Sequence, residues 1–149
     1  MIRLTKKIPG ASASYDATLS LPVDVRVRSR AKVRLDDGRE AGLFLARGSL
    51  LRGGDRLSDE NGLIIKVLAA KEAVSTVYCD NTLQLTKAAY HLGNRHVPLQ
   101  INHAWLRYQR DSVLDEMLLQ MGYEVRQEFA GFEPEAGAYH QHKHNVHAR

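Results

Sequence analysis

The chain has 149 residues, of which 44% are apolar and 26% are charged, a balance typical of one globular domain or two small ones. No run approaches the roughly 20 apolar residues that a membrane span needs, and no apolar signal segment opens the sequence. The single cysteine, Cys79, cannot form an internal disulfide. These features predict a cytoplasmic protein without membrane association, and a net charge of +4 permits an acidic partner without requiring nucleic acid.

The first half of the chain predicts a small all-β domain that covers residues 1–70. Turn signals are closely spaced, and no long helical periodicity interrupts them. Asp37-Gly38 is a signal for a type I′ hairpin. The expected strands and strand-like segments are 2–8, 18–21, 23–27, 32–35, 41–45 and 63–68.

The pattern changes at residues 69–73, where we place a domain boundary. Residues 71–136 predict the element order β-α-β-β-α-β, a ferredoxin-like arrangement, so the whole chain is expected to be an α+β protein. The polar tail at 137–149 lacks periodicity and is expected to be flexible when it binds no metal. The expected strands are 73–79, 97–101, 105–108 and one that opens at 123–125.

Two helices are expected in this second domain. Asp80 or Asn81 can cap the first and Asp111 the second, and Gly93 and Gly122 end them. Each helix has an apolar face at helical spacing. The first face comprises Leu85, Ala88, Ala89 and Leu92, and the second comprises Val113, Leu114, Met117, Leu118 and Met121.

Histidine is the unusual component of this sequence. All seven histidines lie at or after His91, and the last ten residues contain four of them. Imidazole nitrogen suits nickel, zinc and copper, and alternate residues of an extended chain share one face. The tail therefore predicts metal binding, although it could instead be a solvated segment that binds nothing. The candidate tail ligands are His140, His142, His144 and His147.

His96 is the candidate ligand outside the tail. It follows the first predicted helix, where a histidine can also serve only to cap the last helical carbonyls. One imidazole makes a poor metal site, but His96 would face its own copy across the two-fold axis of a dimer. His91 is a weaker candidate ligand, and His103 is expected to be structural or exposed. Cys79 ends an apolar strand and is expected to pack in the core.

Two charged segments complete the set of candidates. Glu133 and Glu135 precede the histidine tract and could assist a cation, or could only keep a loop soluble. A run of alternating cations predicts either an ordinary solvated strand face or a docking site for an acidic protein. Its members are Arg26, Arg28, Arg30, Lys32, Arg34 and Arg39.

Two segments carry a resemblance to a known family. The sequence Ala-Tyr-His-Leu-Gly-Asn-Arg-His-Val-Pro-Leu-Gln-Ile at 89–101 resembles the signature of UreE, the urease accessory metallochaperone. The sequence Phe-Glu-Pro-Glu-Ala-Gly-Ala-Tyr at 132–139, followed by histidines, is similar to the C-terminal segment of that family. Some members carry a further histidine pair before the second helix. Residues 108–112 lack that pair, so an additional internal metal site is not expected.

The resemblance implies a nickel carrier that is not an enzyme and that delivers Ni(II) to apo-urease. It implies a homodimer joined through the C-terminal domains, in which His96 of each chain and the tail histidines hold the metal. Zn(II) or Cu(II) is expected to be able to occupy the same site. The N-terminal domain would bind partner proteins as a peptide-binding domain. The accessory GTPase UreG, within the urease activation complex, would be the direct partner.

Two other functions remain open at this point. A ferredoxin-like sheet can bind RNA, but that function needs stacking aromatic residues, and 73–79 offers only Tyr78. A metal-dependent hydrolase would use tail histidines with Glu133 or Glu135. Catalytic metal sites need rigidly held ligands, which a terminal tail does not provide.

Overall fold

The computed structural model describes residues 1–9 and 14–137, and the chain divides into two compact units, Met1–Ala70 and Lys71–Arg149. None of the helices in these described residues is both long and apolar enough to traverse a membrane. The four tail histidines predicted as ligands lie outside the described residues.

The described part of the first unit consists of short strands and one helical turn. Its elements are β1 (Ile2–Leu4), β2 (Lys6–Ile8), β3 (Ala17–Leu21), α1 (Val23–Arg26), β4 (Arg30–Arg34), β5 (Glu40–Phe44), β6 (Arg56–Ser58) and β7 (Ile64–Ala69). They form two sheets with the strand orders β1-β5-β4 and β2-β6-β7-β3. One apolar core joins both sheets, because side chains from each belong to the same buried cluster, which includes Leu4, Leu19, Leu43, Leu57 and Ile65.

The segment predicted as one strand at 2–8 forms two. β1 pairs with β5, whereas β2 pairs with β6 of the other sheet. The chain changes sheets at Thr5, whose N–H donates to the carbonyl of Ser58 at 3.0 Å. Alternation along a single strand shows which side chains face the core, but it does not show where the pairing partner changes.

The strand-like pattern at 23–27 was misleading, because this segment is helical. Pro22 occupies the N-cap position, and Asp24 lies in the first turn, where a negative charge is favourable. Arg26, predicted to belong to the basic strand face, is fully buried and donates to the carbonyls of Leu21 and Leu51 at 3.0 and 3.1 Å. These tertiary contacts override the strand preference of the valines in this segment.

The hairpin predicted at Asp37-Gly38 forms between β4 and β5, but with a different turn. The N–H of Leu35 donates to the carbonyl of Arg39, and the N–H of Gly38 donates to the carbonyl of Leu35. Gly38 has a φ of 97°, whereas Asp37 is not among the residues with positive φ. A type I′ turn needs positive φ at both central residues, so this three-residue loop instead places one left-handed glycine after a tight turn.

The second unit has the predicted order β-α-β-β-α-β. Its elements are β8 (Lys71–Tyr78), α2 (Thr82–Gly93), β9 (Gln100–Ile101), β10 (Trp105–Gln109), α3 (Ser112–Gln120) and β11 (Glu124–Gly131). The antiparallel sheet has the order β11-β8-β10-β9. Side chains of Asn81 and Asp111 cap the two helices, as predicted.

The helices cover one face of this sheet. Ala88 and Leu92 of α2, and Leu114 and Leu118 of α3, are buried against the strands. The predicted face of α3 was too wide, because Val113 is 75% exposed and Met121 is 42% exposed. Residue type alone does not show how a helix is rotated about its own axis when it packs on a sheet.

Candidate metal centre

His96 closes a tight turn at the end of α2. The N–H groups of Asn94, Arg95 and His96 donate to the carbonyls of Tyr90, Leu92 and Gly93 at 3.0, 3.1 and 3.0 Å. These bonds satisfy carbonyls that a helix end otherwise leaves without partners. The turn leaves the His96 side chain exposed.

The backbone at His96 is left-handed. Its φ is 55°, and it is the one non-glycine residue with positive φ in the described part of the chain. An L-residue in this conformation costs roughly 1 kcal/mol more than glycine would. The left-handed backbone at a position where glycine fits better makes the exposed imidazole of His96 a candidate functional group.

The other histidines of the described segments do not join His96. His91 is half-buried and packs edge-on against Tyr90, with ring centroids 5.2 Å apart. His103 is exposed, and its backbone N–H donates to the side chain of Asn102 at 2.6 Å. Within residues 1–9 and 14–137, no three potential ligands of the His, Cys, Asp and Glu types cluster together. A cation at His96 therefore needs ligands from the tail or from a second chain.

Cys79 is partly buried beside the apolar core of the second unit, as expected from its sequence position. Burial, and then the nearby charge of Asp80, raise the pKa of this thiol. A raised pKa disfavours the thiolate that binds metal. Cys79 is thus poorly suited to hold an exchangeable cation.

A short segment that we call the strap, residues 131–135, connects β11 to the neighbourhood of β9. The N–H of Glu133 donates to the side-chain oxygen of Gln100 at 2.9 Å, and the N–H of Glu135 donates to the carbonyl of Leu99 at 2.7 Å. Phe132 is fully buried, which fixes the strap between these polar contacts. The start of the histidine tail is thereby tied to the segment that follows His96.

Arg107 holds the other end of the strap. Its guanidinium donates to the carbonyl of Gly131 at 3.3 Å and to the hydroxyl of Thr76 at 2.9 Å. The neighbours of Arg107 along β10, Leu106 and Tyr108, pack under the helices, so Arg107 points to the opposite face of the sheet. The strap therefore crosses the face that the helices leave open.

Glu128 completes the polar network around Arg107. Hydrogen bonds from Thr76 and Tyr78, together with the charge of Arg107, hold the pKa of the Glu128 carboxyl below its ordinary value. The stabilisation from this network is therefore present above the ordinary pKa range of glutamate and is lost as pH falls through the lowered pKa.

The sequence analysis did not single out Gln100 or Arg107. Gln100 pairs with Arg107 across β9 and β10, so both side chains lie on the same face of the sheet. The sequence does not reveal this register. Glu133 and Glu135, considered for their carboxylates, contribute backbone N–H groups to the strap. No sequence signal distinguishes a backbone contact of this kind from an ordinary loop.

The chain was compared with known proteins. Its residues 2–70 match the N-terminal domain model of the UreE urease accessory protein, and residues 72–149 match the C-terminal domain model. A urease accessory protein UreE from Citrobacter koseri is 58% identical over 148 residues, covering 99% of this chain and 97% of that protein. The UreE of Alcanivorax borkumensis is 55% identical over 152 residues, covering 95% of this chain and 86% of that protein.

A third relative extends the same relationship. The UreE of Escherichia coli O157:H7 is 55% identical over 150 residues, covering 97% of both chains. The two family models together cover both units, and the three relatives match over 86% to 97% of their own length. This chain belongs to the UreE family of urease accessory proteins.

Proposed function

We propose that this protein is a cytoplasmic nickel carrier for urease maturation, and not an enzyme. It binds Ni(II) through His96 of two chains and through the tail histidines His140, His142, His144 and His147, and it delivers the ion to apo-urease. The observation that carries the proposal is the strap, because its hydrogen bonds hold the start of the histidine-rich tail close to His96 in the chain. His96 is exposed and has a left-handed backbone conformation. The names of the relatives support a role in urease assembly.

Chain length supports joint ligation by the tail and His96. Glu135 is bonded to Leu99, which lies three residues after His96. Three residues span at most about 11 Å, and the five residues from Glu135 to His140 span up to about 18 Å. An extended tail is therefore long enough for His140 to reach the His96 ring.

Exposed apolar side chains in the second unit support a homodimer through this domain. Leu83 and Tyr90, seven residues apart on one side of α2, are 63% and 64% exposed, and Ile101 of β9 is 48% exposed. A two-fold axis near this surface would bring His96 next to its copy and supply a second fixed imidazole. Four to six nitrogen ligands then become available from the pair of chains and their tails.

Imidazole ligation suits a carrier that must release its ion. Zn(II) and Cu(II) can occupy the same nitrogen ligands, so cellular supply decides which metal is carried. A partner can replace tail imidazoles one at a time. The proposed recipient is the urease activation complex, with the GTPase UreG as the direct partner.

The proposal is tested by nickel calorimetry with light scattering on the full chain. Both His96→Ala and a truncation after Tyr139 should lower nickel affinity at least about tenfold, since each removes ligands. His103→Ala is the matched control, because it removes an exposed imidazole from the same unit. Unchanged nickel affinity and unchanged urease activation in His96→Ala would overturn the proposal.

Neither of the other functions gains support from the described residues. The rings of Trp105 and Tyr78 pack against the guanidinium groups of Arg107 and Arg126, at 4.2 and 4.4 Å from their centroids. An arginine therefore already covers one face of each ring, which reduces the aromatic surface on which RNA bases could stack. The carboxylates of Glu133 and Glu135 belong to no cluster of metal ligands among the described residues, as a hydrolase site would require.

A further inference from the structure

The sheet β1-β5-β4 of the first unit has one face turned away from the core. Leu4, Ala41 and Leu43 point inward and are fully buried. The residues that alternate with them point outward, and the register places Arg3, Gly42 and Lys32 side by side across the three strands. This outward face is therefore basic, with a glycine at its centre.

Phe44 lies over the central glycine. A Cβ atom at Gly42 would come within 2.6 Å of the Phe44 ring, so only glycine leaves room for the ring there. The guanidinium groups of Arg3 and Arg30 lie 4.1 and 5.6 Å from the ring centroid. These cation–π contacts hold two positive charges in place. Arg30 and Lys32 also line an open groove of about 420 Å³ next to the Phe44 ring.

These three cations are not neutralised within the described residues. Arg34, Arg39 and Lys7 of the same unit form ion pairs with Glu40, Asp37 and Asp55 at 3.2, 2.8 and 3.1 Å. In the part of the chain that the structure describes, no carboxylate lies within ion-pair distance of Arg3, Arg30 or Lys32. Neighbouring cations with no counter-charge attract an anionic partner.

The backbone of β4 offers hydrogen-bonding groups at the same place. Among the described residues, β4 is an edge strand that pairs with β5 alone. The bonds from Leu35 to Arg39 and from Leu45 to Ser29 show that odd-numbered residues of this hairpin bond across to β5. The N–H and C=O groups of Arg30 and Lys32 therefore point away from β5, along the free edge. The structure gives them no partner among the described residues.

We propose that the edge of β4 binds an extended acidic segment of a partner protein as an added strand. The partner backbone pairs with Arg30 and Lys32, and its alternate acidic side chains lie beside those of Arg30 and Lys32 on the outward face. Arg3 lies on β1, two strands further away, and adds only to the positive potential of the face. A nucleic acid fits less well, because the Phe44 ring is partly buried and already packs against the guanidinium groups of Arg3 and Arg30. This inference does not depend on nickel binding.

The probe is a synthetic peptide of about ten residues in which Glu and Val alternate, titrated into the full chain at low salt. We expect binding, with slowed hydrogen exchange at the amides of Arg30 and Lys32. Lys32→Glu should weaken the peptide about tenfold, while Lys32→Arg keeps the affinity. Lys6→Glu is the matched control, because Lys6 is an exposed cation on the other sheet of the same unit and should leave affinity unchanged.

Two further probes separate strand pairing from simple charge attraction. The same peptide N-methylated at the residues that face β4 keeps its charge but loses its backbone donors, and it should bind at least about fivefold more weakly. Equal binding of the methylated peptide would overturn the proposal. Equal weakening by Lys6→Glu and Lys32→Glu would also overturn it. So would oligothymidylate that binds in a Lys32-dependent manner while the acidic peptide does not.

Discussion

The two units of this protein carry different surface chemistry. The C-terminal unit holds all seven histidines of the chain, and His96 lies exposed on a strained turn. The N-terminal unit has no histidine. Its outward sheet face carries Arg3, Arg30 and Lys32, which form no ion pair with a carboxylate in the described residues. A divalent cation is attracted to the first kind of surface and repelled by the second. Under the two proposals above, the metal and the acidic partner would bind to different units and would not compete.

The largest expected difference between the units is their response to acid. Between about pH 8 and about pH 5, each ordinary imidazole ligand becomes about 30-fold less available, so two or more ligands weaken nickel binding about 1,000-fold or more. Binding of the acidic peptide should change less than about twofold, because arginine, lysine and glutamate keep their charges over most of this range. Calorimetry of both ligands across the range measures the contrast. Flat nickel binding would contradict imidazole ligation.

The next effect concerns Arg26, which belongs to the core of the N-terminal unit and not to its basic surface. Arg26→Met removes the donors to the buried carbonyls of Leu21 and Leu51. We expect a loss of about 3 kcal/mol in the free energy of unfolding, measured by urea denaturation. Arg28→Met, a change in an exposed neighbour, should cost less than about 0.5 kcal/mol. Similar losses from both variants would show that the buried hydrogen bonds of Arg26 do not account for its contribution to the free energy of unfolding.

A smaller effect is expected at the strap of the C-terminal unit. Gln100→Ala removes the acceptor for the N–H of Glu133, so the strap holds the start of the tail less firmly. Nickel affinity should fall about fivefold, the equivalent of one hydrogen bond. In a chain truncated after Tyr139 the same substitution should have no effect. An equal loss in both backgrounds would mean that Gln100 acts on His96 and not through the tail.

The smallest effect tests the strained turn itself. His96→Gly and His96→Ala both remove the imidazole, and both should lower nickel affinity equally. At a φ of 55°, however, the glycine variant should be about 1 kcal/mol more stable than the alanine variant. Thermal unfolding compares the two directly. Equal stability would show that the left-handed conformation is not retained when the ring is absent.

Much of the second unit followed from the sequence, because its helices are long enough to show a clear periodicity. Asn81 and Asp111 cap the helices as expected, and Ala88 and Leu92 lie in the core. The first unit was harder to predict, since its elements are three to six residues long and tertiary contacts decide their conformation. The pattern at 23–27 shows this, because the valines favour a strand while the buried side chain of Arg26 holds a helical turn.

By itself, the sequence identified the family by resemblance, predicted the order of elements in the second unit and singled out His96 as a candidate ligand, because residue type and spacing carry that information directly. Only the tertiary structure decided which cations are buried, which form ion pairs and which have no ion-pair partner among the described residues. It also decided that Gln100, Leu99 and Arg107 anchor the strap. These contacts join residues about 25 to 35 positions apart through backbone groups and sheet register, which no local pattern encodes.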